Sequence, residues 1–234
     1  MRKYIFVLLF ILAVAIALLR VSFAGEGGNV SERIYRNDSA GNVVALSFDD
    51  GPDPKYTVPI LNILSDNSAR ATFFVVGSAA EKHPEIVFDI IKNGHEVANH
   101  TWSHPEMNNI SNDQLMAEVN STNTLINRLT GNQNTFFRPP KGIIKPESFK
   151  MLSDAGFITI LWSIGIENSK AATPELMAQR VLENIKPGDI ILLHDGRLDR
   201  TKTVQALPIL LKGLKQKGYR AITVGELLRS KNTK

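Results

Sequence analysis

The stretch VVALSFDDGP, residues 43–52, is an apolar, β-branched run that stops at two carboxylates and a Gly-Pro break. Its length, composition and flanking turn residues predict a strand buried on both faces, as in a parallel sheet. Asp49 and Asp50 then sit side by side at the strand's end. Adjacent like charges cost free energy unless a cation or a shared proton offsets them. An Asp-Gly-Pro turn with Asx capping uses the same residues, and the motif alone leaves both readings open.

Six further runs of the same kind follow: ATFFVVG (71–77), EVANH (96–100), TFFRP (135–139), ITILWSI (158–164), IILLH (190–194) and RAITV (220–224). Between them lie helical stretches with readable ends. Ser111 and Gln114 open one in capping-box fashion and Gly131 closes it, while Thr173-Pro174-Glu175 starts another before Pro187-Gly188. Glu85 to Asn93 ends at Gly94, and Val204 to Lys217 ends at Gly218. Strands alternating with helices predict an α/β fold with a mostly parallel sheet. No glycine-rich phosphate loop follows the first strand, so barrel-like closure is favoured over a dinucleotide-binding sheet.

Residues 1–24 carry Arg2 and Lys3, an apolar run from Ile5 to Leu19, Arg20, and small residues near Ala24. This is the pattern of an export signal, cleaved after Ala24 or kept as a membrane anchor. Residues 25–42 are polar and rich in Gly, Asn and Ser, and read as a linker or irregular arm; the catalytic domain is expected over 43–230. The 234-residue chain has 27 Lys plus Arg against 23 Asp plus Glu, a formal +4. The first 24 residues hold three bases and no acid, so the remainder carries only +1 and gives no reason to expect nucleic acid as a partner. Absent cysteine excludes disulfides, thiol chemistry and zinc fingers, leaving His, Asp and Glu for any metal.

The chemically able residues fall at the ends of the predicted strands: Asp49 and Asp50, His100 and His104, Arg138, and His194. In a parallel barrel these ends open on one face, where active sites lie. On a helical turn, His100 and His104 would share a face and reach one ion; ordinary surface histidines have the same spacing. Two His and one Asp form a ligand set with open positions, suited to a catalytic divalent ion, zinc first and cobalt or nickel as alternatives. The second Asp could act as base on metal-bound water. Arg138 could hold that carboxylate ionised, or form a plain surface ion pair. His194 could protonate a leaving group or be a capped core histidine. Trp102 and Trp162 could stack on a sugar or pack in the core.

SFDDGP, HTWSH, FRPPKG, ILW and ILLHDG, with ATFFVVG and GYRAITVGELL, resemble in order and spacing the NodB-homology polysaccharide deacetylases, a group of carbohydrate esterases. The resemblance spans about Val43 to Leu228. It implies a distorted (β/α) barrel with about seven parallel strands and metal-dependent hydrolysis of the N-acetyl amide of N-acetylglucosamine units in peptidoglycan or chitin-type glycans; a monomer is expected. By that resemblance Asp49 is the general base, Asp50, His100 and His104 hold the metal, Arg138 restrains the base and His194 is the general acid. The backbone N–H of Lys141, just past Pro139, helps stabilise the oxyanion. Leu192, in the Leu-x-His part of the last motif, lines an acetyl pocket or packs in the core, and Trp162 is the candidate for the substrate groove.

The chain departs from the family in two places. Lys141 replaces a usual aromatic residue, which alters the groove wall. Asn168-Ser169 replaces an Asp-Trp pair whose Asp raises the pKa of the acid histidine. A neutral Asn168 would orient His194 without charging it, and neighbouring Glu167 is expected to point away. A catalytically impaired glycan-binding protein, or an esterase or amidase for another acetylated glycan, are the competing readings.

Overall fold

A computed structural model describes residues 32–167 and 173–230. The expected export signal, the first part of the 25–42 arm, and Asn168 lie outside the described residues. Among those described, no helix is long and apolar enough to cross a membrane.

One sheet contains β1 (Val43–Asp49), β2 (Ala71–Val75), β3 (Glu96–Asn99), β4 (Phe136–Phe137), β5 (Ile158–Thr159), β6 (Ile164–Gly165), β7 (Ile190–His194) and β8 (Arg220–Ile222). Seven follow the order β5-β4-β3-β2-β1-β7-β6, and β8 pairs with the first half of β1. All pairings between these strands are parallel. The ends of the path, β5 and β6, are joined by residues 160–163 alone, a reach of roughly 18 Å. The sheet therefore curls until its edges face each other, the distorted barrel expected.

The run 158–164 is two short strands, where one was expected. The carbonyls of Ile160 and Leu161 accept from Arg138 Nε (3.1 Å) and Nη2 (2.9 Å), and Ser163 N donates to Ile190 O at 3.1 Å. Backbone groups spent on Arg138 cannot also extend the ladder, so the chain leaves one edge and joins the other.

Alternation along the strands sorts the core. From β1, Val44, Leu46 and Phe48 join Phe73, Val97, Ile191 and Leu193 in the large apolar layer beneath the helices, while Val43 and Ala45 join Phe74, Ala98, Ile190 and Ile222 in a smaller cluster. Ser47 and Asp49 share the parity of Val43 and Ala45 and bring polar atoms to the C-terminal mouth. Each fully buried Phe or Leu contributes about 1.5–3 kcal/mol.

The helices are α1 (Thr57–Asp66), α2 (Gly77–Lys82), α3 (Pro84–Lys92), α4 (Asn112–Thr130), α5 (Pro146–Asp154), α6 (Pro174–Asn184), α7 (Thr201–Gln216) and α8 (Val224–Arg229). The Ser111 capping box forms in both directions, Gly131 ends α4 at φ 70°, and Thr173 accepts from Leu176 N to start α6. α7 begins at Thr201, ahead of the expected Val204. RAITV is strand only to Ile222; Thr223 instead caps α8.

Residues 32–42, expected as linker, are packed. Ile34 N donates to Thr159 O (3.0 Å) and Leu161 N to Ile34 O (2.7 Å), while Asn37 N donates to Gly188 O at 2.8 Å. Asn37 Nδ2 reaches Leu227 O and Ser230 O at 2.8 and 3.0 Å. A polar composition conceals this strap because it is tied down largely by backbone and amide groups, with Ile34 and Ala40 packing on the smaller apolar cluster.

Candidate active site

Asp49 closes β1 opposite His194, the last residue of β7, in direct register. Its Oδ1 accepts from Arg138 Nη1 at 2.7 Å. Arg138 is wholly buried. Nη1 also donates to Ser47 Oγ at 2.9 Å, Nε and Nη2 take the two carbonyls named above, and the guanidinium lies 4.0 Å from the Phe74 ring centroid. A surface ion pair is thereby ruled out. Removing one partner of such a buried pair costs about 3–5 kcal/mol, because the other charge is stranded.

Asp50 turns out of the strand at φ 78°. Its Oδ2 accepts from Arg200 Nη2 at 3.1 Å, while Oδ1 is buried and has no hydrogen-bond partner among the described residues. That oxygen lies 3.3 Å from His104 Nε2 and 3.7 Å from His100 Nε2. His100 Nδ1 donates to the Arg138 carbonyl (2.7 Å), which leaves its Nε2 lone pair toward Asp50. Burial holds both rings below the ordinary imidazole range, His104 at about 4 with neighbouring His100 adding to the effect, against the pull of the carboxylates. Neutral imidazoles beside an unpartnered carboxylate oxygen are a donor set fit for a divalent ion. Asp50, His100 and His104 form such a group.

The histidines share a face for a different reason than the helical turn expected. Residues 100–104 form a loop with Thr101 at φ 68° and His104 at φ 55°. Glu118 of α4 secures it, accepting from Trp102 N (2.8 Å), Ser103 N (2.7 Å) and Ser103 Oγ (2.8 Å).

His194 Nδ1 lies 3.1 Å from Glu167 Oε2, and Thr203 Oγ1 donates to Glu167 Oε1 at 2.8 Å. Glu167 points at His194, correcting the expectation that it faces away. The expectation that the acid histidine lacks a charged partner falls with it. Burial opposes the imidazolium, but the hydrogen bond and charge of Glu167, with Asp49 adding, outweigh it and hold His194 above its ordinary range.

Around this mouth, Pro139 is buried and precedes a single 3₁₀ turn, Pro140–Gly142. Lys141 within it is left-handed (φ 59°), and its Nζ meets Glu106 at 2.6 Å on the surface. A Cβ on Gly142, itself at φ 69°, would come within 2.8 Å of Trp162, so the turn and the half-buried indole fit only with glycine there. Leu192 is buried two residues before His194, on the same strand face. Of six non-glycine residues at positive φ among the described residues, five (Asp50, Thr101, His104, Lys141 and Arg197) belong to these loops, the clustering expected where surrounding structure enforces a functional geometry.

Sequence reasoning missed Glu167, Arg200, Glu118 and Asp195. Buried Asp195 accepts from Gly51 N (3.1 Å) and Thr57 Oγ1 (2.6 Å), locking the loop after β1 to the loop after β7. Its place inside ILLHDG was a signal; for Arg200, 150 residues from Asp50, there was none.

The family model for polysaccharide deacetylase matches residues 36–160. A peptidoglycan-N-acetylglucosamine deacetylase of Bacillus cereus is 41% identical over 207 residues, covering 88% of this chain and 95% of that protein. The solved Bc1960 peptidoglycan N-acetylglucosamine deacetylase superposes with a TM-score of 0.81 at 33% identity, over 86% of this chain and 95% of the other. BA3943 of Bacillus anthracis, described as a CE4 family pseudoenzyme, superposes with a TM-score of 0.77 at 30% identity, over 85% of this chain and 69% of the other. Fold, strand-end chemistry and sequence match converge on one assignment: the chain belongs to the polysaccharide deacetylase family, hydrolases of carbon–nitrogen bonds.

Proposed function

We propose that the protein is an exported, metal-dependent deacetylase that hydrolyses the N-acetyl amide of N-acetylglucosamine units in peptidoglycan. The carrying observation is the buried, unpartnered Asp50 Oδ1 facing two neutral imidazole nitrogens beside a second carboxylate already neutralised by Arg138. The similarity to a peptidoglycan deacetylase over 88% of the chain supports the choice of polymer.

Asp50, His100 and His104 would hold the ion, zinc by preference, which supplies Lewis acidity toward the amide carbonyl and lowers the pKa of water to about 7. Asp49 serves as base through Oδ2, since Arg138 occupies Oδ1 with a charge-assisted hydrogen bond. The Lys141 N–H stabilises negative charge developing on the carbonyl oxygen. His194 protonates the nitrogen as the C–N bond breaks, releasing acetate and a free amine. Leu192 and Trp162 bound the space for the acetyl group and sugar. Residues 1–24 direct the domain to the cell wall.

Acetate release from purified peptidoglycan is the test. It should be lost in chelator, restored by zinc, and fall at least about 100-fold in Asp49→Asn. A metal-loaded protein that releases no acetate from peptidoglycan or chitin oligomers overturns the proposal. In that event the similarity to a CE4 pseudoenzyme favours a glycan-binding protein, detectable as binding without turnover.

A further inference from the structure

We propose that Glu167 is the positioning residue for the proton donor His194, with Thr203 holding Glu167 in turn. The carboxylate thereby comes from one position before Asn168, the place where the family carries its Asp. The inference rests on the deacetylase reading of the site.

Register carries the argument. β6 pairs with β7 as Ile164 to Ile191 and Gly165 to Leu192. Ile166 N donates to Leu192 O at 2.9 Å, which extends the ladder past the formal end of β6. Two further steps bring Glu167 opposite His194. Parity agrees, since Ile164 and Ile166 lie with Ile191 and Leu193 in the helix-covered layer. Gly165 and Glu167 therefore share the other face with Leu192 and His194. Arg180 of α6 donates to the carbonyls of Gly165 and Ile166, which fixes the direction in which the chain leaves the strand.

The two carboxylate oxygens have different partners. Oε2 meets His194 Nδ1 at 3.1 Å and Oε1 accepts from Thr203 Oγ1 at 2.8 Å, so the carboxylate is held from both sides. An anionic acceptor at Nδ1 fixes the tautomer and ring plane and leaves Nε2 to deliver the proton. The charged groups facing this pair are Asp49 from β1, which favours the imidazolium, and Arg200 at the start of α7, which opposes it and favours ionised Glu167. The position at which the family carries Asp is therefore not needed for a charged donor.

Glu167→Gln keeps the size and one acceptor oxygen but removes the charge. With zinc-loaded full-length protein, kcat for acetate release should fall about 10- to 100-fold with KM nearly unchanged. The alkaline limb of the kcat profile should move to lower pH, because an uncharged partner lets His194 lose its proton sooner. The His194 ring, assigned by NMR against His194→Gln, should titrate at lower pH in the variant than in the parent. An unchanged limb and an unchanged ring titration would overturn the inference. The parent alone gives a second measurement that survives a misfolded variant: its His194 must titrate above the ordinary value of about 6.5, and a lower midpoint rejects the pairing. If the parent releases no acetate, the deacetylase reading fails, while the ring titration still decides whether Glu167 charges His194.

Discussion

Asp49 and Asp50 are chemically identical neighbours placed in different surroundings, and a third carboxylate beneath them sets how stability responds to pH. Burial first, then the charges of Asp50 and Asp49, push Asp195 up to about 7, against the hydrogen bonds from Thr57 and Gly51. An unfolded Asp titrates near about 3.9, so the folded state binds the proton more tightly. The resulting stabilisation is complete below about pH 4 and is lost as pH rises through about 7. Metal-free protein should therefore melt several degrees lower at pH 8 than at pH 5 on account of this group, and Asp195→Asn should flatten that difference. Equal slopes in the two proteins, measured by differential scanning calorimetry, would count against it. At this scale the sequence reveals residue type and order. The six strand-end residues were legible because a parallel sheet collects its C-terminal ends, whatever the loops do. Glu167 was not, because its direction depends on which residue pairs with Leu192, and register between β6 and β7 is absent from a linear pattern.

Elements with their own chemical punctuation were readable: α4 from Ser111, Gln114 and Gly131, α6 from Thr173 and Pro174. α1 has no side-chain cap, and so gave no start signal. Its packing is supplied by tertiary neighbours. The loops after β1 and β7 interlock in a way no propensity encodes. A Cβ on Gly196 would lie 2.3 Å from the Asp50 carbonyl oxygen and 2.9 Å from Gly51 N. These are backbone atoms that cannot swing aside. Gly196→Ala should displace Asp50, lowering zinc affinity at least about 10-fold and acetate release with it. Calorimetric zinc titration checks this; wild-type affinity in a folded variant would show that the loops have slack.

The parallel α/β barrel follows from the alternation of apolar runs with capped helices, but its closure depends on two features that composition hides. One is the Arg138 guanidinium, which takes the backbone of residues 160–161 out of the ladder. The other is the strap of residues 32–42, which ties Thr159 and Leu161 to Gly188 and to the end of α8. The strap holds the same segment whose carbonyls brace Arg138. Comparing residues 32–234 with 43–234, the shorter chain should lose several degrees in Tm, at about 2–4 °C per kcal/mol for a domain of this size. It should also lose deacetylase activity beyond what unfolding explains. Identical Tm and rate would show that the strap is dispensable. The chain's two tryptophans have a practical value at this scale. Trp102 lies between the two histidines, and Trp162 stands against Gly142, 5.7 Å from the Arg138 guanidinium. Tryptophan fluorescence, excited where the chain's four tyrosines absorb little, therefore reports from two places without a label: Trp162 at the mouth itself, and Trp102, packed against Gly77 and the helix-covered core layer, on the seating of the loop that carries the two histidines.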